Sequence, residues 1–314
     1  MFLYKGAPAL TAGLIFTAAI ACSAAAQLPQ RQRPLAGVTY TIRVGGPPRS
    51  GSGMAAAVAS PTPTYTAQAI FAAGRGRMDI VDGGLESVFA KGDYVLFDST
   101  DLVVVHPATR EFVLLPHDAG PSMQQLESMG MKMTIADAKV TIDSVAGSDS
   151  VAGRATRHFR MITAFNMLIE AGAMQQHLAT ENITDYWVAA VPGLPGNPLL
   201  RANGFGAAPA MLGMFKELGA RVDSAAAKMG SRVALRTITS SRLMQGPGSE
   251  LRMQQTSEVS DLKVRDVDES SLVLPAGYKL GAVPGADAPA VMPADVGAKW
   301  RRMPGGRQPS TSRD

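Results

Sequence analysis

The chain has 314 residues, a formal net charge of +4 and a single cysteine. Its 30 lysines and arginines are scattered among 26 acidic residues rather than gathered into a stripe, so the electrostatic footprint of a nucleic-acid binder is missing. One cysteine excludes an intrachain disulfide and a multi-thiolate metal centre, which leaves an apolar core as the source of stability.

In chain order, residues 1–26 read as an export signal. Lys5 supplies a short positive region, Ala7 to Ala21 is almost uninterruptedly apolar, and Ala24-Ala25-Ala26 before Gln27 is a small-residue cleavage site. The apolar stretch is shorter than the roughly 20 residues a spanning helix needs, so removal is expected rather than anchoring. An alternative cut lies before Cys22, because Ala19-Ile20-Ala21-Cys22 is an imperfect lipobox whose cysteine would then be acylated. Either cut predicts a protein outside the cytoplasm, periplasmic or outer-membrane-associated. The basic balance is compatible with peripheral membrane association.

Residues 27–36 read as a linker. Val38, Tyr40, Ile42 and Val44 then alternate with Thr39, Thr41 and Arg43, the period-two pattern of a strand with one buried face. After a Gly-, Pro- and Ser-rich loop over 45–63, short apolar runs follow at 65–72, 77–81, 85–90, 94–98, 102–106 and 111–115. Their separators, such as Asp82-Gly83-Gly84 and Lys91-Gly92-Asp93, are lengths that make hairpins and not crossover helices. An antiparallel meander is the expectation.

A Met-rich passage precedes a hairpin over 139–145 and 154–163, then a strand over 181–190 and a loop over 192–206. Between Pro209 and Met229 the period changes: Met211, Met214, Phe215, Leu218, Val222, Ala225 and Met229 recur every three or four residues, with Gly230 as the C-cap, so one covering helix is predicted near 209–229. Strands over 232–244 and 250–264 complete the sheet. Residues 281–314 carry five prolines and five glycines with little apolar periodicity and read as a disordered tail. The folded domain is thus expected over 37–280.

No G-x-S-x-G elbow, H-E-x-x-H pair, P-loop or dinucleotide fingerprint is present, and no catalytic residue or cofactor is assigned. The four histidines, His106, His117, His158 and His177, are too far apart to grip a metal from one helix face. Met129, Met131 and Met133, with Met123 and His117 upstream, have the soft-ligand character that suits Cu(I), but among 17 methionines the packing of irregular clefts is the preferred reading, and no metal is assigned. Trp187, in the strand around Asp185-Tyr186-Trp187-Val188, reads as core first and ligand contact second.

Several phrases fall in a familiar order: Gly74, Arg77 and Asp79 entering a strand, Gly92-Asp93-Tyr94 opening the next, Gly-Arg-Ala-Thr-Arg-His-Phe-Arg from Gly153 to Arg160, Thr184-Asp185-Tyr186-Trp187, the helix leading to Gly230, and Leu272 to Lys279 at the end. Over residues 36–280 they resemble exported bacterial domains near the outer-membrane lipoprotein carrier (LolA/LolB-like) superfamily. The resemblance implies a mainly β (α+β) fold, a strongly curved antiparallel half-barrel whose concave face is covered by a helix and can hold an acyl chain. It implies no catalytic residues.

The expectation is a non-enzymatic envelope protein binding an apolar ligand or a lipidated partner between sheet and helix, with Trp187, Met211, Met214, Phe215 and Leu218 as cleft candidates. Two alternatives stand beside it: a structural or interaction domain with a filled core, and a secreted hydrolase without a recognisable motif.

Overall fold

The computed structural model describes residues 35–46, 50–51, 64–85, 88–116, 130–195, 197–200, 215–246, 248–281 and 294–302. In β1 (Leu35–Gly45) Val38, Tyr40, Ile42 and Val44 are buried and the residues between them are not, as alternation across a one-sided strand requires. There follow β2 (Ser50–Gly51), β3 (Thr64–Ala72), β4 (Arg75–Leu85), β5 (Phe89–Ala90), β6 (Tyr94–Phe97), β7 (Asp101–His106) and β8 (Glu111–Pro116). The second series is longer: β9 (Met131–Val151), β10 (Arg154–Ala171), β11 (Met174–Ala189), β12 (Val233–Met244) and β13 (Glu250–Val267), with β14 (Lys279–Leu280) last.

These strands form one curved, unclosed sheet in the order β14-β8-β7-β6-β4-β3-β1-β13-β12-β11-β10-β9, antiparallel throughout except where β14 runs parallel to β8. Two meanders, β3 to β8 and β9 to β13, are thus fused by the pairing of β1 with β13. Tight turns set their registers. Ala73 and Gly74 between β3 and β4, and Ala152 and Gly153 between β9 and β10, all have positive φ, the two-residue hairpin geometry whose twist matches that of the flanking strands.

The mainly β fold with a covering helix agrees with the sequence reading. The helix, α1 (Lys216–Ala226), runs on into a 3-10 turn over Ala227–Met229 and stops at Gly230, whose φ is 68°. Residues 209–214 of the expected helix lie outside the described residues. The long strands reach further than their sequence pattern suggested: the end of the Met-rich passage enters β9, and β11 starts at Met174. Of the run at 85–90, Leu85 ends β4 and Phe89–Ala90 forms β5.

A correction concerns the tail. Within residues 281–314, expected to be disordered, Ala294–Arg301 forms a second helix, α2, and Trp300 is only 1% exposed. Its indole joins Tyr94, Leu96, Val103, Val105, Phe112 and Leu274 on one face of β6 to β8. Lys299 Nζ lies 2.6 Å from Asp98 and 2.5 Å from Asp101, and the Arg75 guanidinium donates to the Arg302 and Lys299 carbonyls at 2.7 and 3.0 Å. A short segment without periodicity folds here because one large aromatic ring and a few charges supply what a repeated pattern otherwise would.

The opposite face of β6 and β7 packs Val95, Phe97 and Val104, with Phe71 of β3 and Met78 of β4, in one core with β1. The segment after β11 dips into the same core through Leu194 and Leu200, fixed by Asn197, whose Nδ2 donates to the Tyr40 hydroxyl at 2.7 Å. At the other end of the sheet β9 is an edge strand with two bulges, at Asp137 and near Gly147. Arg221 of α1 donates to the Ala138 carbonyl at the first of them.

Candidate functional site

Alternation divides the five long strands into two chemically unlike faces. On the face toward α1, β10 presents Phe159, Met161, Thr163, Phe165, Met167 and Ile169. Opposite these β11 presents Leu178, Thr180, Asn182, Thr184, Tyr186 and Val188, and the registers continue through Thr237, Thr239, Ser241 and Leu243 of β12 to Leu251, Met253, Gln255 and Ser257 of β13. Leu218, Val222, Ala225 and Met229 of α1 and its 3-10 extension close on this face together with Ile142 of β9. From Phe159 onward no Asp, Glu, Lys, Arg or His stands among these face positions; Arg157, the register partner of Val188, is an exposed cation at the end of the face.

The helix face is itself graded. Its β9 and β10 part is apolar, with Met133, Ile135, Val140 and Ile169 half-buried around a buried centre. Its β11 to β13 part carries hydroxyls and amides, among them Thr184 and Thr239, whose Oγ1 atoms are 3.2 Å apart. Thr180 Oγ1 is buried and has no hydrogen-bond partner among the described residues. The Tyr186 phenol is pushed well above its ordinary range by burial. A helix of 11 residues is roughly 16 Å long, whereas the 16 residues of β11 run to about 53 Å, so α1 alone covers only part of this face.

The outer face of the same strands is ionic. Asp185 accepts from His158 Nε2 at 2.7 Å and from Arg160 Nε at 2.9 Å. Burial alone would raise the Asp185 carboxyl, but hydrogen bonds from Arg160 and His158 hold it below the usual carboxylate range. The His158 ring stacks on Trp187 at 4.4 Å, and the Arg236 guanidinium lies 5.4 Å from the Trp187 ring while pairing with Glu258 and Asp149. Every charge in this row has its partner, which makes it a rigidifying ladder rather than a reactive cluster.

The structure brings together two of the five cleft candidates. Leu218 is buried under α1, and Phe215, at its N-cap, is half-buried against the same cluster. Trp187 stands on the other face, because its neighbours Tyr186 and Val188 take the helix side; it packs on the core around β1 and under His158. Met211, Met214 and Cys22 lie outside the described residues, as do His117, Met123 and Met129. Met133 packs in the helix-face cluster. Among the described residues no three His, Cys, Asp or Glu side chains are placed to hold a metal, and no helix is long and apolar enough to cross a membrane.

Sequence reasoning missed Phe165, Met167, Leu178 and Thr180. The signal was present: Phe159, Met161, Phe165, Met167 and Ile169 keep period two well past the point where the strand was expected to end.

No family model matches the chain, and no curated protein does. Among solved structures, an uncharacterized conserved protein from Thermus thermophilus aligns over 78% of this chain and 90% of its own, at 9% sequence identity and a TM-score of 0.32.

Proposed function

We propose that this is an exported, non-enzymatic protein of the cell envelope that binds an apolar ligand, or the acyl chain of a lipidated partner, against the helix face of the long strands beside α1. The observation that carries this reading is the segregation of charge: from Phe159 to Ile169 of β10, and at the β11, β12 and β13 positions in register with them, the helix face carries no acidic or basic group, and Arg157 stands beyond this stretch at the start of β10. An acyl chain laid on such a wall gains roughly 0.8 kcal/mol for each CH2 removed from water, and the flexible thioethers of Met133, Met161 and Met167 suit ligands of varied chain shape. Peripheral contact with the outer membrane, and the choice between a soluble form starting at Gln27 and an anchored form starting at acylated Cys22, belong to the same proposal.

The test is native mass spectrometry of the full chain expressed with its own leader in a Gram-negative host. A co-purified acyl species supports the reading, and Phe215→Asp is expected to lower its occupancy at least tenfold while the circular dichroism spectrum stays unchanged. A folded Phe215→Asp protein that retains full occupancy would refute the assignment of the cleft. The burial of Phe165, Met167 and Leu178, each under a tenth exposed, favours a second reading, an interaction domain with a filled core; protein without bound lipid in every preparation would select it.

A further inference from the structure

We propose that the helix face selects a neutral acylglycerol, with its chain on the β9 and β10 side and its ester or hydroxyl group hydrogen-bonded by Thr180. This deepens the reading above and rests on it. Three observations point to the head group. The wall changes across its width from thioether and hydrocarbon to uncharged hydroxyl and amide, so it matches a ligand that is itself split in that way. A free fatty acid or an anionic phospholipid would bring a charge onto a stretch of wall, Phe159 to Ile169 of β10 and the positions in register with it, that offers no cation among the described strand residues, since Arg160, Arg236, Arg242 and Arg252 stand on the outer face and Arg157 lies eight residues along β10 from Phe165, the register partner of Thr180. Thr180 is the one hydroxyl in an apolar row, paired in register with Phe165 on one side and Leu243 on the other and followed along β11 by Asn182 and Thr184 on the same face, and its hydroxyl is buried without a partner among the described residues.

Such a hydroxyl costs stability in the ligand-free protein and is retained at a wall position where valine has the same shape. The adjacent Thr184 and Thr239 hydroxyls already satisfy each other, which singles out Thr180 as the group with unused capacity. As donor to an ester carbonyl, or as acceptor from a glycerol hydroxyl, it would fix the depth at which the chain enters.

The experiment titrates the full chain, delipidated, with 1-monooleoylglycerol and with sodium oleate, each below its aggregation threshold, by isothermal calorimetry. The neutral lipid is expected to bind at least tenfold more tightly than oleate. Thr180→Val is expected to lose roughly fivefold for monooleoylglycerol, to leave oleate unchanged, and to raise the midpoint of denaturant unfolding without ligand. Thr184→Val, which breaks a satisfied pair, should instead lower that midpoint. Equal affinity for both lipids, or a Thr180→Val variant that binds monooleoylglycerol as the wild type does, overturns the head-group assignment while the cleft stands. Failure of both lipids to bind removes the cleft reading itself.

Discussion

The two meanders of this sheet solve the problem of an apolar face differently. In β6 all four residues, Tyr94 to Phe97, are buried, because the short strands are covered on both sides, by the β1 core on one and by α2 with Trp300 on the other. In β10 buried and less buried residues alternate along most of the strand, because one face meets α1 and the other meets solvent through ion pairs. A strand covered twice must be apolar at every position, and one covered once only at every second. The doubly covered half has the character of a scaffold, whereas the singly covered half has a wall free to be specialised for a ligand.

This contrast can be broken most strongly at α2. Trp300→Ala should cost about 3 kcal/mol, read from chemical denaturation, and hydrogen exchange should show protection lost in β6 to β8 with β10 and β11 unchanged. Loss of protection in β10 as well would mean that the two halves do not differ as described. A smaller effect is expected on the inner side of the same half. A methyl group on Gly76 would run into the Phe97 ring, which stacks at 6.1 Å on Phe71, so Gly76→Ala should destabilise by about 2 kcal/mol. Combined with Phe97→Leu it should recover part of that loss.

The gentlest probe is acid. Burial alone would raise the Asp98 carboxyl, but Lys299 and the backbone N–H groups of Thr100 and Asp101 together hold it below the usual carboxylate range. A carboxyl whose folded pKa is depressed contributes stability above its unfolded value, near pH 4, and that contribution disappears as pH falls through the folded value. Trp300 fluorescence should therefore report loosening of α2 below about pH 4, and Asp98→Asn should flatten that dependence. An identical acid profile in the variant would show that Lys299 does not hold the helix through Asp98.

The contrast also explains what could be read from the residues alone. Hairpin-length separators and alternating runs made the antiparallel meander legible, and the helix was legible from its three- and four-residue spacing. The α2 cover was not, since Trp300 is a single large residue in a stretch rich in proline and glycine. Its trace was indirect: Tyr94 to Phe97 and Val103 to Val105 are apolar without alternation, which calls for a second covering element somewhere in the chain. In the candidate site, Leu218 and Phe215 were found through helical period, whereas Trp187, read as core first and cleft contact second, packs on the core of the other face, because two adjacent aromatics in a strand do not declare which of them faces the helix. Pairing Trp187 with Tyr186 and Val188 decides the matter only once the covering helix is located. Thr180 gave no sign at all, because a buried hydroxyl and a solvated one look alike in sequence.

The open edge of the sheet has a consequence for how this chain behaves in a crowd of its own copies. A 21-residue edge strand is a long template for another strand. β9 interrupts that template twice with bulges, places Lys132, Asp137, Lys139 and Asp143 along it, and gives up the Ala138 carbonyl to Arg221. The uninterrupted ladder that fibrillar self-assembly needs is therefore broken into short pieces along this strand.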